Sequence, residues 1–549
     1  MLDSVWLRVL PRAVVALVLA WLAWRRLLAY LRYFQQEGYE PLRFLRWSGG
    51  RSVVDPACWL LLGCAWFSVD RPWLVALGFI VGAGVLLLAQ PDPRASGKIP
   101  LKMTWRAMRI AVLSTVLMLG ALLVGSTLDT TSFLRGTLTT GAIIVAGVPL
   151  LLIGANALLT PYEWHAQDVF EAEAAARMHH VNPFVIGITG SYGKSSTKAM
   201  LGHLLQFHAP TLAASGSINT LMGVTRHIRE QLVPGHRFMV VEMGAFRTGS
   251  IRRLCQLTPP SAAIITAVGD MHLERFGSTD AIVRAKSELA QALPPGGLLV
   301  VNADSPGARR IAAEATRCRV RLYGETSSES LDTRLEQVQF SREGTSFLLR
   351  TTDGTYPCFT PLLGRPIVLN LAGAFTLASA LGVDPRVMVA AMRTLTPVSN
   401  RLEVVEDGGM TWIRDAYNSN RVGFRAALEV AAALPATRRF LVTPGVIELG
   451  AEQFATNREL AREASTVCTM TVIVSRTNQE AFVAGHADQG RSDRLVQVAS
   501  RTAAFQWLKT HATAGDLVLL ENDLPDLYEH TEGVFWTRRG AGVGRGTRA

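Results

Sequence analysis

The chain has 549 residues, enough for several domains, and 55 Lys+Arg against 44 Asp+Glu leave it with a net charge of +11. Its six cysteines, Cys58, Cys64, Cys255, Cys318, Cys358 and Cys468, form no CxxC pair, which argues against a zinc knuckle and a disulfide framework and leaves buried free thiols. There is no low-complexity tract, no repeat of roughly 20–50 residues and no cleavable signal peptide, and nucleic acid is not an expected partner.

Five apolar stretches open the chain: Val9–Trp24, Ala57–Val69, Trp73–Ala89, Ile110–Ser126 and Gly141–Leu159. A helix that spans a bilayer needs about 20 such residues, so the second is short unless it borrows Val53 and Val54. Five runs in a row with no soluble pattern between them predict a helical membrane domain over residues 1–160. Charge sets its orientation. Arg25, Arg26, Arg32, Arg43, Arg46 and Arg51 lie in one connection, and Arg94, Lys98, Lys102, Arg106 and Arg109 in another. The other two hold only Arg71 and Arg135. Basic loops stay in the cytoplasm, so five spans put everything after Leu159 there, in a multi-pass protein of the cytoplasmic membrane. Arg8 and Arg12 fit this poorly, and the first helix would then lie along the interface.

A charged segment, Glu163–Arg177, reads as a helix leading into the strand Val185–Ile188. The strand ends in Thr189-Gly190-Ser191-Tyr192-Gly193-Lys194-Ser195-Ser196-Thr197-Lys198, and a helical pattern follows over Ala199–Phe207. Glycines let backbone N–H groups turn inward on an anion, and the helix start adds partial positive charge. Gly190, Ser191, Gly193, Lys194, Ser195 and Ser196 therefore form a candidate phosphate cradle. The general phosphate-loop spacing asks for glycine where this chain has Ile188, so the pattern fails by one residue.

Further strands alternate with helices, which implies a mainly parallel sheet. Phe238–Val241 ends in Glu242-Met243-Gly244-Ala245. Ala263–Thr266 leads to Gly269-Asp270-Met271-His272-Leu273-Glu274-Arg275-Phe276-Gly277-Ser278, and a helix carries Ala285-Lys286-Ser287-Glu288. A carboxylate at the carboxyl end of a strand stands where open α/β sheets place their ligands. Strand-like runs continue at Leu298–Val301, Val320–Tyr323 and Phe347–Arg350, before Gly364-Arg365-Pro366 and Asn370-Leu371-Ala372-Gly373-Ala374.

In order and spacing these motifs resemble the Mur ligase family, in its D-alanyl-D-alanine-adding (MurF-type) branch, over roughly residues 185–530. The resemblance implies a central ATPase domain on a parallel sheet, residues 161–399, and a C-terminal Rossmann-like α/β domain, residues 400–533. A basic tail, 534–549, is expected to be disordered. It also implies ATP and Mg2+, and ligation of a carboxylate acceptor to an amino-acid or dipeptide amine through an acyl phosphate. Ser195 and Glu242 would hold one magnesium and His272 would bind a second. Lys194 would stabilise the phosphates. Lys286 matches a position that several members carbamylate, which would add an anion beside the second metal. Asn370 would contact adenine.

In the second lobe Val404–Val405, Met410–Ile413, Phe440–Thr443, Thr471–Val474 and Leu517–Leu520 read as strands. By the same resemblance Arg401 would reach the phosphates, Asp415 the ribose and Asn418 the base. Arg421 stands where the family often has proline after Asn420. Pro444-Gly445-Val446-Ile447-Glu448-Leu449-Gly450 resembles the family's turn. Glu521-Asn522-Asp523-Leu524-Pro525 replaces a common Lys-Gly-Ser, which leaves the amine open.

The expected function is therefore a membrane-bound, ATP-dependent amide ligase of envelope biosynthesis, with a polyglutamate-type polymer ligase or a non-catalytic nucleotide-binding membrane protein as alternatives. An ABC transporter fails for lack of its Leu-Ser-Gly-Gly signature. Family members grip their uridine nucleotide with a soluble domain before the ATPase. Here about 25 residues separate Leu159 from the phosphate loop, too few for the ~50 of a small domain. A lipid-linked acceptor and membrane lipid are the expected partners.

Overall fold

In the computed structural model, residues 2–49, 56–67, 72–89, 100–128, 133–245, 247–269, 276–326, 330–397, 400–416, 419–447 and 449–523 are described. They divide into two compact units, one ending at Ala166 and one running from Gln167 to Asp523.

The first unit is helical: α1 Leu2–Gln36, α2 Pro41–Gly49, α3 Pro56–Phe67, α4 Pro72–Ala89, α5 Trp105–Leu128 and α6, which runs Phe133–Val181 into the second unit. Leu19, Leu27, Tyr30, Phe34, Phe79, Ile110, Val145 and Leu152 share its core. Two expectations change. The basic stretch after Trp24 is not a loop, because Leu27, Leu28, Leu31 and Phe34 keep helical spacing and no glycine or proline intervenes before Gly38, at φ +67°. The Glu163–Arg177 helix is no separate element either. It is the end of α6, which passes through Pro149 and Pro161. Among the described residues three helical segments are long and apolar enough to cross a membrane, Val14–Gln36, Trp105–Gly125 and Arg135–Val181, and two apolar helices, Ala57–Phe67 and Leu74–Val85, are shorter.

The second unit holds two sheets. The first is built from β1 Phe184–Thr189, α7 Lys194–Gln206, β2 Thr211–Ala213, α8 Leu221–Gln231, β3 Phe238–Glu242, α9 Ser250–Leu257, β4 Ala262–Ile265, α10 Thr279–Gln291, β5 Leu298–Asn302, α11 Pro306–Glu314 and β6 Arg319–Gly324. After it come β7 Thr333–Ser341, β8 Gly344–Thr351, β9 Gly354–Thr360, α12 Arg365–Ala380 and α13 Pro385–Met392. Strand order is β2-β3-β1-β4-β5-β6-β7-β8-β9. Period-two alternation sends Ile186, Ile188 and Val240 to one core with Leu201 and Phe375, and Val185, Met239 and Val241 to the other with Ile251 and Leu289. Helices thus cover both faces, as a parallel sheet requires. The sheet is mainly parallel, as expected, and is extended at one edge by β7, β8 and β9, which pair antiparallel with one another. The connections Arg342–Glu343 and Thr352–Asp353 are too short for a parallel crossover.

The second sheet comprises β10 Glu403–Asp407, β11 Met410–Asp415, α14 Arg421–Ala433, β12 Arg439–Thr443, α15 Gln453–Val467, β13 Met470–Val474, α16 Gln479–Ala487, β14 Leu495–Val498, α17 Arg501–His511 and β15 Leu517–Glu521. Its order is β10-β11-β15-β12-β13-β14, parallel except for the β10–β11 hairpin. Arg365 at the start of α12 ties the two sheets together, bonding Glu429 of α14 at 2.7 Å and also Glu325.

Candidate active site

β1 lies between β3 and β4, where the strand order reverses, so the crevice at its carboxyl end is the natural ligand position of this sheet. The segment Gly190–Gly193 fills that end. Two glycines are dictated by space. A Cβ on Gly190 would overlap Thr266 Oγ1, and one on Gly193 would overlap the Asn370 amide. Gly193 also sits at φ +77°, the left-handed conformation that starts α7.

The loop is braced from the β4 side. Ser191 donates its N–H to Ala267 O at 2.6 Å, its hydroxyl donates to Gly269 O at 2.9 Å, and Thr266 Oγ1 donates to Tyr192 O at 2.6 Å. Ser191 is therefore a brace of the cradle. The first N–H groups of α7 have no partner within the helix and supply its anion-facing donors.

Lys194 is half-buried and folds back on its own loop, 2.7 Å from Gly190 O and 3.2 Å from Ser191 O. Lys286, buried on α10, donates to the same Gly190 O at 2.9 Å. Two lysine Nζ atoms thus converge on one carbonyl. Burial pushes Lys194 down to about 8, with Glu242 opposing the shift and Arg401 adding to it. Burial, then the charge of Lys194, holds Lys286 well below the ordinary lysine range.

Glu242, at the end of β3, is buried between two donors that the sequence analysis did not assign to the site. Lys198 Nζ lies 3.4 Å from Oε2 and Asn219 Nδ2 donates to Oε1 at 2.9 Å. Lys198 also donates to Gly216 O, and burial lowers its pKa against the pull of Glu242. Its spacing was the available signal, because Lys198 stands one turn after Lys194 on α7. Ser195 Oγ lies 3.0 Å from Ser217 Oγ, and Ser196 is buried. Ser195, Ser217 and Glu242 are hard oxygen donors of the kind Mg2+ takes along with substrate phosphates. Among the described residues no cluster of three His, Cys, Asp or Glu forms a metal cage. The residues present therefore fit a magnesium that is shared with a nucleotide.

Asn370 packs its buried side chain against Gly193. From the second sheet Arg401 comes close enough to act electrostatically on both Lys194 and Asp415. Burial raises the Asp415 carboxyl to about 7, opposed by Arg401 and by the Leu402 N–H. Beside it in register on β15 is Glu521, fully buried, which accepts from the Ser419 and Thr443 hydroxyls. Burial, then the Asp415 charge, pushes Glu521 well above the carboxylate range. His272, Asn418 and the tail lie outside the described residues.

Comparison with known proteins gives this geometry its place. Residues 188–378 match the Mur ligase middle domain, and residues 400–521 match the glutamate ligase domain of Mur ligases. UDP-N-acetylmuramoyl-tripeptide–D-alanyl-D-alanine ligase of Mycobacterium tuberculosis is 31% identical over 362 residues, covering 61% of this chain and 70% of the relative. The enzyme of that name from Bacillus subtilis is 28% identical over 351 residues, 63% of this chain and 75% of the relative. A crystal structure of MurF from Acinetobacter baumannii superposes with a TM-score of 0.58 at 27% identity, over 65% of this chain and 77% of that one. Enzymes of this group use ATP with magnesium. The chain belongs to the Mur ligase family and is an ATP-dependent ligase that forms carbon–nitrogen bonds.

Proposed function

We propose that this protein is a membrane-embedded, MurF-like ligase that activates the carboxylate of a cell-envelope precursor as an acyl phosphate and couples it to an amino-acid or dipeptide amine. The observation that carries the reading is the convergence of Lys194, Lys286 and the α7 N-terminus on one crevice, with Glu242 at its wall. A carboxylate oxygen attacks the terminal phosphorus and ADP leaves. The amine then attacks the acyl carbon, and phosphate leaves with that oxygen. Negative charge builds on the transferring oxygens, so fixed cations at the cradle lower the barrier.

In this reading Lys194 and Arg401 neutralise the phosphates, and Gly190, Ser191, Gly193 and Ser196 shape and brace their cradle. Ser195, Glu242 and His272 hold magnesium. Asp415 and Asn418 meet ribose and base, and Asn370 positions the loop against the nucleotide. Lys286 is the carbamylation site, since burial lowers its pKa and the unprotonated amine is the form that adds carbon dioxide.

The helical unit before the ligase is read as a membrane domain that leaves the catalytic unit in the cytoplasm with its ATP. Only Asn182 and Pro183 stand between α6 and β1. A catalyst fixed at the bilayer gains effective concentration toward an acceptor confined to the same surface, which favours a lipid-linked precursor over a soluble UDP-linked one. Glu521-Asn522-Asp523 in place of Lys-Gly-Ser favours an amine other than D-alanyl-D-alanine, and a polyglutamate-type polymer is the second reading. The test is full-length protein in nanodiscs with ATP, magnesium and candidate amines. Turnover of the lipid-linked precursor supports the reading. Saturable ligation of the UDP-linked form alone contradicts it.

A further inference from the structure

Three buried carboxamides from three elements grip one turn of the second sheet. Asn457 of α15 accepts from the Val446 N–H at 2.8 Å and donates to Val446 O at 2.9 Å. Asn478, just before α16, donates to Pro444 O at 2.9 Å and to Val446 O at 3.1 Å. Asn522, just after β15, donates to Gly445 O at 2.7 Å. Gly445 sits at φ +75°, and a Cβ there would lie 2.4 Å from Asn457 Oδ1. The turn follows β12, which lies between β15 and β13, where the strand order of this sheet reverses. The crevice outside that end is the ligand position of an open parallel sheet. Adjoining the turn, and sharing Asn478 with it, opens a cavity of about 490 Å3 with Phe454, Arg476 and Glu480 in its wall. A guanidinium and a carboxylate in one wall suit an amino acid or dipeptide, which carries both charges.

Asn522 differs from the other two, because it also holds a second segment. β15 lies between β11 and β12, so the residues at its end stand between the segment after β11 and the turn after β12. The Asn522 N–H donates to Asp415 O at 2.9 Å. Glu521 accepts from the Ser419 hydroxyl, and from Thr443 at 3.4 Å at the foot of the turn. Residues 521 and 522 thus pin both ends of the segment Asp415–Ser419 and fasten it to the turn. Asn522 itself sits at φ +63°, where glycine is the usual residue and asparagine one of the few others tolerated. The common Lys-Gly-Ser would place glycine there. This chain keeps that backbone and adds a carboxamide that reaches Gly445.

We propose that Asn522, together with Glu521, is a positioning residue for the ligation. It sets the spacing between the nucleotide-facing segment Asp415–Ser419 and the turn beside which the amine is held. Acyl phosphate formed against the first then meets the amine at the second. The proposal rests on the ligase reading above and adds to it a link between the two substrates, made by the residues in which this chain departs from the common pattern.

The test counts ADP released and amide formed by the full-length protein in nanodiscs. ATP, magnesium, lipid-linked or UDP-linked wall precursor, and D-alanyl-D-alanine or glutamate as amine are supplied at saturation. Wild type is expected to release one ADP for each amide. Asn522→Gly keeps the left-handed backbone and removes only the carboxamide. It is expected to raise ADP per amide about tenfold, less than the ~10²-fold that a misplacement of about 1 Å can cost. The excess arises because acyl phosphate that misses the amine is attacked by water, which returns the carboxylate and releases phosphate. Asn522→Asp keeps an oxygen for the Asp523 N–H but its carboxylate cannot donate to Gly445 O, so it should uncouple as well. Loss of folded protein lowers ADP and amide together and leaves their ratio unchanged, so the ratio separates positioning from stability. One ADP per amide in both variants, as in wild type, would overturn the proposal. Wild type whose ADP release does not respond to acceptor and amine would overturn the ligase reading itself, and this proposal with it.

Discussion

Lys194 and Lys286 come from helices far apart in the chain and share the Gly190 carbonyl. That shared acceptor makes the site sensitive to protonation. Lys194 is pushed down to about 8 chiefly by burial, so folding disfavours its charged form. The cost to stability is full below pH 8 and is relieved between there and the unfolded lysine value of ~10.4. Nucleotide binding runs the other way, because the cation is what the phosphates need. ATP affinity should therefore fall as pH rises through about 8, while Lys194→Gln binds weakly at every pH; calorimetric titration from pH 7 to 9.5 reads both. Lys194→Ala should lower turnover by on the order of 10²–10³-fold without loss of membrane insertion. Lys286→Ala should be inactive and partly rescued by short carboxylates that refill the anion position. Full activity of that variant without additives would remove the carbamate role. Both lysines could be picked from the sequence by motif. Their meeting on one carbonyl could not, because 96 residues separate Gly190 from Lys286. Lys198 and Asn219 escape a sequence reading for the same reason, since Glu242 joins them only through folding.

Among the elements, the phosphate loop and α7 depend on Gly193 more than on any side chain. Gly193→Ala meets left-handed strain of roughly 1–2 kcal/mol and collides with Asn370. It should lower the thermal stabilisation that ATP confers, as read by melting curves with and without nucleotide. In the second sheet Glu521→Gln keeps an acceptor oxygen for one hydroxyl and offers its NH2 to the oxygen of the other, and should cost little. Glu521→Ala leaves both hydroxyls buried without that acceptor and should cost about 1–3 kcal/mol in thermal unfolding. The parallel strands were legible because buried strands read as short apolar runs, such as Phe238–Val241 and Leu517–Leu520. The antiparallel extension was largely missed. β7 alternates buried and exposed residues around polar side chains, and β9 contains Pro357, so neither looks like core. The run of α1 past Trp24 was hidden by its arginines, which read as a loop although apolar residues keep helical spacing among them.

For the whole molecule, the sequence separated an apolar first part from a ligase, and the two compact units divide at Ala166. The number of spans was less legible. Among the described residues the five apolar runs correspond to three helical segments long and apolar enough to cross a membrane and two shorter apolar helices, each of which borders residues outside the described set. The proposed arrangement ties ATP chemistry to an acceptor at the bilayer, and its central claim is the ligation itself. The most direct measurement follows oxygen in the full-length protein, with the acceptor carboxylate labelled with the heavy isotope and ATP, magnesium and amine supplied. ADP release that requires the acceptor is expected, with one labelled oxygen carried into inorganic phosphate for each amide formed. ATP hydrolysis indifferent to acceptor and amine, with unlabelled phosphate, would contradict it.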